Sequence, residues 1–312
     1  MTQTIDESRT ISMTRVFRAP RELLLKVFSD PAHLTNWWGP HGFSIRTDSF
    51  EFQPGGWWIF TMCAPDGTEF PNRIRYIKTG PDRLELAHSV DGQTVDFHIE
   101  ATLKELDGNR TELEWRLVFP TAEECRRIEE QYGARAGLVG TLTRLDVLLA
   151  EQLAESDPFK LHLAIASDTE ILMYRSFHAP RKLVFKAMTT ADMIRNWQAP
   201  HGYPFTECSF DAQVGGKWSM TQLDDKGGEH SFYGEVVELD APRLLSTTFY
   251  YAPWPDAKIV NRIELEEKGG ITKMRLLSTH LNKEDRDGML NSGMEWGAGQ
   301  SYDRLDELTR VG

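Results

Sequence analysis

The chain has 312 residues, 40% of them hydrophobic and 26% charged, with a net charge of −12. That is enough for about two soluble globular domains, each able to bury a core without disulfides or metals. The acidic balance argues against a nucleic-acid or anionic-membrane partner, since both need basic surface.

Three scattered cysteines, Cys63, Cys125 and Cys208, form no CxxC pair and suit a reducing compartment. The opening residues lack the apolar core of a signal peptide. No run approaches the roughly 18 apolar residues of a membrane helix, so a cytoplasmic protein is expected.

Ile11 to Phe17 has the two-residue period of a strand, with Ile11, Met13, Arg15 and Phe17 on one face. An arginine on that face needs either water or an acidic partner. Pro20 fits the first position of a short helix striped by Leu23, Leu24, Val27 and Phe28. A second short helix stops at Gly39-Pro40. Strands are expected near Ile45, over Trp57 to Met62, Asn72 to Lys78, Arg83 to Ser89, Thr94 to Leu106 and Thr111 to Phe119. Their turns are Pro54-Gly55-Gly56, Pro65-Asp66-Gly67, Gly80-Pro81-Asp82 and Asp107-Gly108-Asn109. With the first strand this makes about seven strands in an antiparallel meander. Thr121 and Glu124 form a capping box that opens one long helix with Leu138, Leu142, Leu145 and Leu149 on one face. Gly133, Gly137 and Gly140 imply a bend in it, or a close approach to the sheet.

Everything then returns 160 residues later. Phe17 to Arg21 returns as Phe177 to Arg181, with Pro180 in the place of Pro20. Asn36-Trp37-Trp38-Gly39-Pro40-His41-Gly42 returns as Asn196-Trp197-Gln198-Ala199-Pro200-His201-Gly202. Gly55-Gly56 and Trp58 return as Gly215-Gly216 and Trp218, and Arg144-Leu145-Asp146 as Arg304-Leu305-Asp306. Asn282 caps the second long helix, striped by Met294, Ala298, Ser301, Leu305 and Leu308. A period this long is a tandem duplication rather than a solenoid. With a short linker around Ser156-Asp157-Pro158, the domains are expected at 1–156 and 157–312.

The residues Phe-x-Ala-Pro-Arg, Trp-Trp-Gly-Pro-x-Gly-Phe, Pro-Gly-Gly-x-Trp and Pro81-Asp82-Arg83-Leu84 are shared with a known family. The pattern resembles the bacterial proteins named after the activator of Hsp90 ATPase, within the START/Bet v 1-like (SRPBCC) superfamily. The second half is similar throughout, including Ser292-Gly293-Met294-Glu295. The resemblance implies an α+β fold of two helix-grip domains, each a curved antiparallel sheet around a long C-terminal helix enclosing a cavity. This chain departs from it at Gln53 and Gln213, where the family usually has arginine. It departs again at Gln198-Ala199 in place of Trp-Gly, and at Val214 in place of proline. No segment resembles the separate Hsp90-binding domain of the eukaryotic co-chaperone.

Function must come from the site, because such folds host many functions. Along the last strand Leu113, Trp115, Leu117 and Phe119 align, after a one-residue shift, with Met274, Leu276, Ser278 and His280. The first cavity is then apolar along this strand, and the second gains a hydroxyl and an imidazole. Trp37, Trp58, Trp197, Trp218 and Trp296 serve either core packing or a ligand wall, and packing is the default. His41 and His201 are either cavity donors or loop residues satisfied by backbone. His280 and Glu295 can meet at the strand end and form a general base, or share an ordinary hydrogen bond. No HxxxH, HExxH, Cys/His cluster or phosphate loop is present, so neither a metal nor another cofactor is expected.

The leading expectation is binding or sequestration of a small apolar or aromatic molecule in one or both cavities. One alternative is an enzyme acting on such a molecule by acid–base chemistry. The other is a chaperone-accessory or similar protein-interaction module. Unpaired polar groups converging in a cavity are expected of the enzyme, and a filled core with an exposed apolar patch of the interaction module. The oligomeric state is open.

Overall fold

In the computed structural model the described residues are 6–106 and 109–310. The opening residues and the turn centre at Asp107 and Gly108 lie outside them. The chain divides into two compact units, Met1–Leu149 and Ala150–Gly312. The first begins with a 3-10 turn and continues through β1 (Thr10–Phe17), α1 (Arg21–Ser29), α2 (Pro31–Trp37), β2 (Ser44–Phe50) and β3 (Trp57–Cys63). Then come β4 (Glu69–Thr79), β5 (Arg83–Ser89), β6 (Phe97–Glu105), β7 (Thr111–Val118), α3 (Ala122–Tyr132) and α4 (Ala134–Ser156). Its antiparallel sheet has the order β1-β7-β6-β5-β4-β3-β2.

The second unit repeats the plan with β8 (His162–Ile165), β9 (Glu170–Phe177), α5 (Arg181–Thr189), α6 (Ala191–Trp197) and β10 (Phe205–Phe210). It continues with β11 (Lys217–Leu223), β12 (Glu229–Asp240), β13 (Leu244–Tyr251), β14 (Trp254–Lys268), β15 (Ile271–His280), α7 (Lys283–Asn291) and α8 (Met294–Thr309). Its sheet has the order β10-β11-β12-β13-β14-β15-β9-β8. The eighth strand, β8, pairs with β9 through Leu163 and Met173. At four residues it is too short to show a period.

In each domain the one long helix expected at the end is two helices. Gly133 (φ 60°) and Gly293 (φ 82°) take the left-handed conformation between them, which ends a helix rather than bending it. Gly137, Gly140 and Gly297 approach a loop, not the sheet: a Cβ on Gly137 or Gly297 would lie 3.7 Å from Pro40 or Pro200. Pro20 and Pro180 stand one residue before the helix, as N-caps in extended conformation. The capping assignments hold: Thr121 Oγ1 accepts from the Glu124 N–H, and Asn282 Oδ1 from the Asp285 N–H.

The repeated Arg-Leu-Asp triplet fastens the last helix to the rest of each domain. Arg144 on α4 donates to the carbonyls of Trp38, Gly39, Pro40 and Phe43 through one nitrogen, at 2.9–3.3 Å. Its other terminal nitrogen donates to the Asn36 carbonyl at 3.0 Å. Arg304 does the same to Ala199 and Pro200. Leu145 and Leu305 are fully buried. Asp146 receives Arg15 of β1 at 2.8 Å, so the inward arginine does have an acidic partner. In the second domain Arg175 turns instead to Asp303, also at 2.8 Å. Asp306 there accepts the backbone N–H and lies 2.9 Å from the ring Nδ1 of His178.

Each loop carbonyl that loses a charged donor costs about 1–3 kcal/mol where water cannot replace it. Arg144→Met should therefore lower the stability of the first domain by about 2–4 kcal/mol. Arg304→Met, with fewer carbonyls to release, should cost the second domain less. Calorimetric unfolding of the two variants checks the order.

Candidate functional site

The concave face of the second sheet, roofed by α6 and α8, holds a cavity of about 230 Å³. Its walls are apolar and aromatic, with Trp197, Phe210, Trp218 and Phe249 among them. The polar lining consists of Gln198, Thr247, Asn261, Ser301 and Tyr302. Thr247 and Asn261 are direct partners on β13 and β14 and stand side by side on that face. Ser301 donates to the Gly297 carbonyl. Among the described residues, the side chains of Gln198, Thr247, Asn261 and Tyr302 have no hydrogen-bonding partner in the protein. Burial raises the Tyr302 hydroxyl pKa, so it stays a neutral donor.

The same positions in the first domain are filled with apolar bulk. Leu86 and Ile99 are partners on β5 and β6 where Thr247 and Asn261 are partners in the second. Trp115 on β7 pairs with Ala101 and Met13, as Leu276 on β15 pairs with Ile263 and Met173. Trp38 stands in place of Gln198, and Leu142 in place of Tyr302. The rings of Trp38 and Trp58 lie 5.1 Å apart, those of Trp38 and Trp115 5.5 Å, and those of Phe28 and Trp115 5.7 Å. Two tryptophans, one from α2's end and one from β7, thus occupy the space that glutamine and leucine leave open.

Of the residues expected to bind ligand, Trp197, Trp218 and Leu276 line the cavity. Trp37 and Trp58 are fully buried core residues, their indoles bonded to the Val27 carbonyl and the Thr47 hydroxyl. Trp115 and Phe119 are likewise packed in the first core. His41 and His201 are exposed loop residues, and the backbone N–H of His201 donates to Gln300. Trp296 is 58% exposed and does not line the cavity. Ser278 and His280 are buried but lie beyond the cavity lining, with the hydroxyl 3.3 Å from the imidazole Nε2. The carboxylate that acts on His280 is Asp285 of α7, not Glu295. Asp285 stands in the first turn of α7, the short helix that directly follows the strand.

Sequence reading missed Gln198, Thr247, Asn261 and Tyr302. Gln198 was visible as a departure from the repeat, and a strand-register alignment exposes the other three. It also missed a closed polar cluster in the first domain. His88 meets Asp96 at 3.2 Å and Asn72 at 2.7 Å, stacked on Phe97. Every member is satisfied, so the cluster offers a ligand nothing. Trp218 reaches the Thr248 carbonyl at 3.2 Å only because Gly234 lies beneath it, where a Cβ would come 2.7 Å from the indole nitrogen. Among the described residues no group of three metal-ligating side chains occurs, and no helix is long and apolar enough to cross a membrane.

Burial pulls the His280 pKa below its ordinary value, with Arg286 acting the same way and Asp285 opposing. The neutral ring is therefore the folded form. As pH falls below about 6.5 the unfolded chain gains a proton that the folded domain resists, and stability is lost until the folded pKa is passed. His280→Phe, the residue the first domain carries as Phe119, should reduce the loss of urea resistance of the second domain between pH 7.5 and 5.

The comparisons with known proteins follow this duplicated plan. A solved protein from Rhodobacter sphaeroides is 22% identical, covering 48% of this chain and 97% of its own, with a TM-score of 0.45. One from Arthrobacter aurescens is 24% identical over 48% of this chain and 93% of its own, TM-score 0.43. One from Nitrosomonas europaea is 21% identical over 47% and 97%, TM-score 0.42. No curated protein matches the chain. The family model described as activator of Hsp90 ATPase homolog 1-like protein matches twice, at residues 18–150 and 178–310. The chain belongs to that family, as two tandem copies of its domain.

Proposed function

We propose that the protein binds a small organic molecule in its second domain, while the first domain serves as a filled structural partner. One observation carries the reading. The same fold holds a packed aromatic core in one copy and, in the other, a cavity of about 230 Å³ with four polar side chains lacking protein partners. Gln198, Thr247 and Asn261 are half-buried and keep their hydrogen-bonding capacity for a guest, and a few such polar groups in an apolar pocket are the ordinary make-up of a binding site.

Convergent unpaired polar groups were also what the enzymatic alternative required. Here they are amides and hydroxyls, which orient a ligand but do not exchange protons near neutral pH. Among the described residues the cavity lining holds no carboxylate, imidazole or amine. An interaction role finds support in the filled first core and in isolated exposed aromatics such as Trp254, 64% exposed, but nothing indicates what would cover them.

Filling the second cavity as the first is filled tests the reading. In the full chain, 2-naphthol should show saturable binding, followed by its quenching of tryptophan fluorescence. Leu276→Trp should weaken it at least tenfold with little change in melting temperature. Equal affinity in the variant would remove the cavity as the binding site.

A further inference from the structure

The inference drawn here rests on that reading and names the ligand class. We propose that the cavity of the second domain selects an uncharged one- or two-ring aromatic molecule with a hydrogen-bond donor and acceptor side by side on one edge. A lactam fused to an aromatic ring, or an amino group next to a ring nitrogen, has this edge.

Size comes first. A volume of about 230 Å³ has room for roughly eight water-sized groups at about 30 Å³ each. That fits a single or fused ring. Shape follows from the walls. Trp218 and Phe249 lie with ring centroids 5.8 Å apart on the sheet side, and Trp197 stacks on Tyr302 at 6.0 Å under the helices. Flat aromatic walls favour a flat aromatic guest.

Charge is decided by what the lining lacks. An ion moved into this cavity would give up part of its hydration and meet no counter-charge on the lining, because every lining side chain is neutral and Tyr302 is kept protonated by burial. The guanidinium that acts on Tyr302, Arg175, already holds Asp303.

The polar edge is set by the carboxamides. Asn261 offers an N–H donor and a C=O acceptor in one plane, and its partner Thr247 adds a hydroxyl beside them. A carboxamide meets an adjacent donor–acceptor pair with two parallel hydrogen bonds, as asparagine does on the edge of adenine. Gln198 supplies a second carboxamide at the end of α6, and Tyr302 a hydroxyl from α8. A site built to hydrogen-bond such an edge rejects the analogue that lacks it far more strongly than an apolar pocket rejects an extra methylene.

The test uses three probes of one size on the full chain: quinolin-2(1H)-one, naphthalene and 2-naphthoate. Binding is read by tryptophan fluorescence and by ligand-observed NMR. Quinolinone should bind at least tenfold tighter than naphthalene, and naphthoate should not saturate. Asn261→Leu should bring quinolinone down to the affinity of naphthalene and leave naphthalene unchanged or tighter. Thr247→Val, a smaller change, should narrow the same ratio severalfold. If naphthalene binds wild type as tightly as quinolinone, if naphthoate binds best, or if both variants leave the ratio unaltered, the polar-edge inference fails while the cavity stands as a binding site. If no probe saturates the wild-type chain, or Leu276→Trp leaves binding intact, the binding-site reading fails with it.

Discussion

A guanidinium holding a ring of backbone carbonyls is the constraint on which each domain rests. The loop after α2 must turn sharply, which leaves several carbonyls facing inward without strand or helix partners. Arg144 satisfies five of them from α4. That bond fixes the height of the helix over the sheet, and therefore the depth of the space between them. The aspartate two residues later ties the same helix to the strand carrying Arg15, or to the start of α5 through His178. In the first domain, loop, helix and first strand are thus located by one triplet; in the second, Asp303 just before the triplet holds the strand arginine. The interior side chains are free to vary as long as they fill or line what is left.

The two copies use that freedom in opposite ways. In the first domain the interior is closed by Trp38 and Trp115 against Trp37, Trp58 and Phe28. In the second, smaller or polar residues face one another across the same gap. The two copies share the plan of the common strands, down to the buried threonine of the last strand that bonds the alanine carbonyl before α1 or α5. About five interior side chains account for the difference between the two interiors.

Most of this plan was legible in the chain. The constant offset of Gly-Gly, Trp-x-x-Pro and Arg-Leu-Asp disclosed two copies of one fold, and alternation along Leu113 to Phe119 gave the inward face. What escaped had physical reasons. The break at Gly133 and Gly293 depends on a left-handed backbone that a glycine permits but does not require. The strand β8 is four residues long. The site itself was hidden because Thr247 and Asn261 look like solvent-facing polar residues until strand register places them on the concave face. His280 drew notice for its chemistry, yet its position at the strand end puts it beyond the cavity, beside Asp285.

The cavity also has a thermodynamic side. The pocket is partly open, and its walls forgo the dispersion contacts that Trp38 and Trp115 make with their neighbours in the first domain. A ligand that entered would restore part of them, and at a hundredfold excess over its dissociation constant would add about 2.7 kcal/mol of stability. The aromatic packing of the first domain supplies those contacts from its own chain. Under the proposed function only the second domain would gain stability from a ligand, and turnover of the protein would then follow the abundance of that small molecule.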